Sequence, residues 1–401
     1  MMISKIKLTI ICTILALAGI AQTRKQSMRQ LADDNLRFAA EQYKYLMKDL
    51  PPDVMPRTYN DSSKHLITSK TSWWCSGFYP GTLWLLYKAT KDEALKAEAE
   101  KRLGILEKEK LNTGTHDLGF MIFCSFGNAY KITGDQHYKD VIFTAAASLS
   151  TRYRPSIASI QSWNKNSNFN CPVIIDNMMN RELLEWVAKN GGDQKINEIA
   201  VNHANTTIKN HYRPDYSSYH VVDYDLETGK IIKKATHQGY ADESAWARGQ
   251  AWGLYGFTLM YRFTKDAAYL SQATHIADFL LNHPNLPADK IPYWDFNAPD
   301  IPNARRDASA GAIMASALLE LSRYTDSKKS RIYKNAAEVM LRSLSSPAYR
   351  AKLGTNGGFI LEHNVGHFPN HSEIDVPLTY ADYYFVEALC RYKEWFIKDR
   401  G

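Results

Sequence analysis

Twelve stretches of 3.6-residue apolar periodicity, a strict alternation of buried and striped patterns among them, and a recurring turn plan predict an all-α protein, an (α/α)6 barrel of six helical hairpins. The twelve stretches start near Ser27, Gly77, Asp92, Leu118, Gln136, Asn177, Asp193, Ser244, Asp266, Ala308, Lys328 and Tyr380. The even-numbered ones are rich in apolar and small residues, as in Ala308-SAGAIMASALLEL and Tyr380-ADYYFVEAL. A helix apolar on most sides is buried between neighbours, whereas a striped one faces water. The odd-numbered ones are charged and amphipathic, which assigns them to an outer ring. The joints Lys88-ATKDEALK, Lys131-ITGDQHYK, Lys189-NGGDQKIN, Arg262-FTKDAAYL and Arg323-YTDSKKSR share one plan: a basic helix end, a Thr/Gly/Asp turn, then a polar helix. Asp in that place is a natural N-cap. All six even helices look buried and neither end carries a polar capping repeat, which favours a closed ring over an open superhelix.

Ahead of the first helix, Lys5 and Lys7 precede the apolar run Leu8–Ile20, with Gly19 and Ala21 as small residues for a cleavage site. This is the pattern of an export signal. Residues 1–21 are read as a signal peptide and 22–401 as a single catalytic domain, exported to the periplasm or beyond and free of the membrane after cleavage. The remaining cysteines, Cys75, Cys124, Cys171 and Cys390, match no zinc spacing and read as buried thiols.

The connections from an odd helix to the next even one are long and rich in Trp, Tyr, His, Asn and Gly; those from even to odd are short turns. Long structured loops on one side of a repeat scaffold carry function. At the end of one lies Thr115-His-Asp-Leu-Gly-Phe120, and at the end of another Ile174-Ile-Asp-Asn-Met-Met-Asn180. Asp117 and Asp176 each stand where an N-cap would, and capping is the plain structural reading of either. Two of them on neighbouring repeats, both at the presumed cavity, suggest the paired carboxylates of glycoside hydrolysis, one of them held protonated. The densest motif is Thr236-HQGYADESAWARGQAW252. Arg248 and Trp252 share a helix face at i, i+4, and Arg248 can hold a carboxylate in a two-pronged contact. His237 and Gln238 offer hydrogen bonds to sugar hydroxyls. Tyr293-Trp-Asp-Phe, Gly366-His-Phe and Trp73-Trp-Cys-Ser-Gly77 are weaker signals.

The formal net charge of +7 suits an anionic ligand, but there is no long Lys/Arg run to suggest nucleic acid. Walker A, dinucleotide-glycine, HExxH and GxSxG patterns are all missing, and no metal or other cofactor is called for.

The run His237-QGYADESAWARGQAWG, together with THDLGF, IIDNMMN, YWDF…RDASA and PLTYADYYFVEAL, resembles the glycoside hydrolase family 88 unsaturated glucuronyl hydrolases over roughly residues 30 to 397. The resemblance implies release of a Δ4,5-unsaturated uronic acid from the non-reducing end of lyase-generated, glycosaminoglycan-type oligosaccharides, sulfated ones included. The family's reaction hydrates the C4=C5 double bond rather than attacking C1. By motif, Asp176 resembles the family's general acid/base and Asp117 its partner. His220 and Gln238 match sugar contacts. Trp74, Trp246, Arg248 and Trp252 match the wall of the terminal-sugar subsite. The other readings are an unsaturated rhamnogalacturonyl hydrolase (family 105), a conventional inverting glycosidase on the same barrel, and a non-catalytic glycan-binding protein.

Overall fold

The computed structural model describes residues 26–397; the export signal read at residues 1–21 lies outside them. Twelve helices alternate between two concentric rings. The outer ring is α1 (Met28–Asp49), α3 (Glu93–Leu106), α5 (Gln136–Ser150), α7 (Gln194–His211), α9 (Ala267–Asn282) and α11 (Ser327–Leu344). The inner ring is α2 (Phe78–Thr90), α4, α6 (Asn177–Lys189), α8 (Ala247–Thr264), α10 (Ala308–Leu321) and α12 (Thr379–Phe396). Helix α4 begins as a wide π-helical segment, Gly119–Gly127, and continues as an α-helix, Asn128–Thr133. Each inner helix packs on the next inner one, and α12 packs back on α2, so the ring closes.

Burial follows the two periodicities. Every residue of α10 is buried. Helix α9, outside it, buries only Tyr269, Gln272, Ala273, Ile276, Ala277 and Leu280, a single stripe.

The short inner-to-outer joints repeat a local chemistry. In α2–α3, α4–α5 and α8–α9 a Thr hydroxyl (Thr90, Thr133, Thr264) accepts from the Asp N–H two residues on. That Asp (Asp92, Asp135, Asp266) then accepts from the backbone of the new helix. Ser27, Asp193 and Asp326 cap the other three outer helices. Such caps satisfy donors that a helix start otherwise leaves unpaired.

The long outer-to-inner links all lie at the inner helices' N-terminal ends. Four of the six fold into short antiparallel ladders that periodicity in the sequence did not reveal. These are β1 (Met55–Asn60) with β2 (His65–Ser69), β3 (Tyr153–Arg154) with β4 (Ser159–Ile160), and β8 (Asn364–His367) with β9 (Ser372–Val376). A three-stranded sheet joins β5 (Pro172–Ile174), β6 (Val221–Tyr224) and β7 (Ile231–Ala235). The four cysteines from Cys75 onward are unpaired.

Candidate active site

At the N-terminal mouth of the inner ring a cavity of about 530 Å³ collects residues from five links, including Asp117, Asp176, Trp74, His237, Gln238 and Arg248. The two carboxylates of the sequence analysis therefore share one cavity. Neither caps its helix: no side chain caps the start of α4 or of α6. The only inner helix capped by a side chain among those described is α10, through Asp307. The outer helices use Asp for stability, while Asp117 and Asp176 are turned into the hollow.

Local pairing places them. Strand β5 leads straight into Asp176, with Ile174 opposite Val221 in the ladder. Ile175 N–H donates to His220 carbonyl at 3.0 Å, so Asp176 and His220 leave the sheet side by side. Asn180 of α6 accepts from Phe120 N–H at 3.0 Å and ties the start of α4 to α6. Gly119 is needed there because a Cβ would come within 2.5 Å of Asn180 Cα.

Asp176 Oδ2 stands 3.5 Å from His220 Nε2, an ion-pair distance longer than a good hydrogen bond. His220 Nδ1 accepts from the N–H groups of His237 and Gln238, both at 3.1 Å. The ring proton is thereby assigned to Nε2, facing Asp176. Burial alone would raise the Asp176 pKa, but the His220 contact, with the electrostatic pull of His220, His116 and Arg248, outweighs it and holds the carboxyl below its usual value. This corrects the expectation that one carboxylate keeps the other protonated: the His220 donor and the neighbouring positive groups favour ionised Asp176. Asp117 accepts from Thr115 Oγ1 at 2.7 Å, with His116 Nε2 at 3.3 Å. Burial lowers the His116 pKa against the opposing pull of Asp117 and Asp176.

Arg248 lines the cavity but is not a free two-pronged clamp. Its Nη1 donates to Asp307 Oδ2 (3.0 Å) and to Val365 carbonyl (2.5 Å), and its Nη2 to Gly366 carbonyl (2.6 Å). It thus holds the β8–β9 hairpin over the site, assisted by Gln238, which donates to the same Gly366 carbonyl. His237 meets His367 at 3.3 Å between their Nε2 atoms. Burial, then the charges of His237, His220 and Arg248, push the His367 pKa down to about 4.

Two of the four predicted wall residues sit behind the wall. Trp246 is 2% exposed and stacks against His220 (4.5 Å) and the Arg248 guanidinium (4.6 Å). Trp252 is fully buried one turn deeper, between Phe120 and Tyr384. Helical spacing gave their face correctly but not their depth. Trp74 and Arg248 do reach the cavity. The sequence analysis missed Arg57, Trp73, His116, Trp163, His367 and Glu373, which line it. Trp73, His116 and His367 lay inside motifs already noted. The others come from links whose course depends on the ladders.

Among the described residues no three His, Cys, Asp or Glu side chains converge to hold a metal ion.

The family model for Glycosyl Hydrolase Family 88 matches residues 51–282. An unsaturated glucuronyl hydrolase of Formosa agariphila is 48% identical over 336 residues, 83% of each chain. The solved structure of an unsaturated glucuronyl hydrolase specific for heparin superposes with a TM-score of 0.88 and 45% identity, covering 91% of this chain and 97% of that one. A mutant unsaturated glucuronyl hydrolase of Streptococcus agalactiae, complexed with dGlcA-GalNAc6S, gives a TM-score of 0.79 at 32% identity, covering 93% and 94%. With more than half its length matched by that model and its two carboxylate motifs meeting in one cavity, the chain belongs to glycosyl hydrolase family 88.

Proposed function

We propose that this enzyme is an unsaturated glucuronyl hydrolase that releases a Δ4,5-unsaturated uronic acid from lyase-generated oligosaccharides by hydrating the C4=C5 bond. The observation that carries this reading is the placement of Asp117 and Asp176 in one cavity, both released from helix capping.

The reaction needs a proton at C4 and a water oxygen at C5. Asp176 is ionised in the free protein. A bound uronate brings a second negative charge and excludes water, and both effects raise the carboxyl's affinity for a proton. Asp176 then protonates C4, and the carboxylate so formed takes the proton of the water that adds to C5. The hemiketal opens between C5 and the ring oxygen to a ketone, which leaves C1 a hemiacetal that expels the rest of the saccharide. Asp117, held by Thr115 and His116, orients the sugar opposite Asp176. Trp74 supplies a flat face for the sugar, and His237 and Gln238 supply polar edges.

Glycosaminoglycan-type and sulfated substrates fit the formal charge of +7 and the sulfated disaccharide bound by the similar Streptococcus agalactiae protein. Export is part of the same proposal, supported by the basic start and apolar run at Leu8–Ile20.

The double bond conjugated to the uronate carboxylate absorbs in the ultraviolet, so turnover is read as loss of that absorbance. Wild-type protein is expected to abolish it on lyase-generated disaccharides, and Asp176→Asn to lower kcat by about 10²- to 10⁴-fold while substrate still binds. In ¹⁸O-labelled water the label is expected at C5; label at C1 would show a conventional glycosidase and sink the reading.

A further inference from the structure

The cations lining the cavity are already matched. Arg248 pairs with Asp307 at 3.0 Å and Arg57 with Glu373 at 2.6 Å. The β5–β6–β7 sheet leads to one that is not. Residues alternate between its two faces, and the register puts Ile174, Val221, Ala235, Asp223 and Lys233 on one face. Ile174 lines the cavity, and Ile174, Val221 and Ala235 form a small apolar cluster with Phe169, against which Trp163 packs. The cavity wall therefore continues outward along this face. Trp163, itself a cavity residue, meets Phe169 edge-on at 5.6 Å, and Lys233 Nζ sits 4.6 Å from the centre of the Phe169 ring.

Lys233 is exposed and forms no ion pair among the described residues. Its cross-strand neighbour Asp223 would be the natural counter-charge. That carboxylate instead accepts from the N–H groups of Asn170 (2.9 Å) and Cys171 (2.8 Å). The fold thus commits the nearest acid elsewhere and leaves a cation on Phe169, one ring outward from the cavity residue Trp163.

We propose that Lys233 receives an anionic substituent of the sugar residues beyond the scissile bond, with Trp163 as the platform between. This rests on the hydrolase reading above and makes Lys233 a specificity residue rather than a catalytic one. Its ligand is a sulfate ester or the carboxylate of the next uronate, two sources of the same chemistry.

The test compares wild type, Lys233→Gln and Lys233→Glu on an unsulfated unsaturated disaccharide, its sulfated counterpart and an unsulfated tetrasaccharide. The unsulfated disaccharide is expected to show unchanged kcat/KM in Lys233→Gln. On at least one anionic substrate Lys233→Gln is expected to lose about twofold to fivefold in kcat/KM, through KM, the size of an exposed ion pair. Lys233→Glu should lose more, and added salt should erase the difference. Loss confined to the sulfated disaccharide assigns sulfate; loss confined to the tetrasaccharide assigns the carboxylate. Equal ratios across all three substrates in wild type and variants would overturn the proposal, as would an equal loss on all three. Wild-type protein inert on every substrate would overturn the hydrolase reading along with it.

Discussion

His220 is the residue whose surroundings say most about the chemistry. Two backbone N–H groups occupy its Nδ1 and leave its Nε2 hydrogen for Asp176. A donor to the ionised carboxyl lowers its pKa, so removing that donor should raise it. If catalysis requires protonated Asp176, kcat/KM of wild-type protein falls as pH rises above the free-enzyme pKa of that group. In His220→Ala the same limb is expected at higher pH, whatever happens to KM. A limb that stays in place would show that His220, buried and outside the cavity lining rather than the sugar contact expected of it, does not tune Asp176. The sequence analysis named His220 from a short motif; its coupling to Asp176 depends on the β5–β6 register, which links residues 175 and 220.

Asp residues at helix starts divide by ring, with Asp307 of α10 as the exception. Asp266 opens α9 and accepts from Ala268 N–H at 2.8 Å, whereas Asp176 opens α6 and caps nothing. Asp266→Ala is therefore expected to lower unfolding free energy by about 1 kcal/mol, with kcat of the folded enzyme unchanged. Asp176→Asn should do the reverse, lowering turnover by the factor given above with little change in denaturant midpoint. Denaturation curves and turnover on the same two preparations check both, and a matching stability loss in the two variants would refute this division. Sequence pattern located the helix starts closely. The largest slip was α8, read from near Ser244 but beginning at Ala247, because Ser244 and Ala245 are held in the preceding loop by Asp295 and Asn297. The π-helical start of α4 was read as ordinary helix. Its apolar residues keep a helical rhythm, and hydrogen-bond spacing has no signature in composition.

Across the whole barrel, the end away from the cavity holds a second hollow lined by a charge network. Arg262 of α8 reaches Glu182 of α6 (2.5 Å) and both oxygens of Glu320 of α10 (2.6 and 2.7 Å). Arg391 of α12 adds a bond to Glu320 at 3.1 Å and an ion pair with Glu387. Four inner helices are thus joined. Burial would raise the Glu320 pKa, but Arg262 and Arg391 hold it at about 2. A depressed carboxyl contributes stability above its unfolded value, and that contribution is lost as pH falls through the folded one. Arg262→Met removes the ion-pair partner of Glu182 and one of the two partners of Glu320, and is expected to cost about 3 kcal/mol near neutral pH. The gap to wild type should narrow as pH falls toward about 2. Urea unfolding across that range checks this; a gap independent of pH would mean that Glu320 is not the group at stake.

Local physics was enough for the rings. Inner helices apolar on all sides, striped outer helices and Thr-x-Asp turns are properties of consecutive residues, so α10, α9 and the α8–α9 joint could be read directly, as could Asp117 and Asp176 as residues of interest. Depth, pairing and charge balance were settled only by the closed barrel. Trp252 and Trp246 carry the right residue type on the right face, yet Phe120, Tyr384 and His220 cover them. Asp176 is ionised because its link pairs with a strand 47 positions further along the chain, Ile174 opposite Val221, which brings His220 to its side. A pKa depends on neighbours in space, and the short ladders that bring them together gain their hydrogen bonds only after the chain has closed on itself.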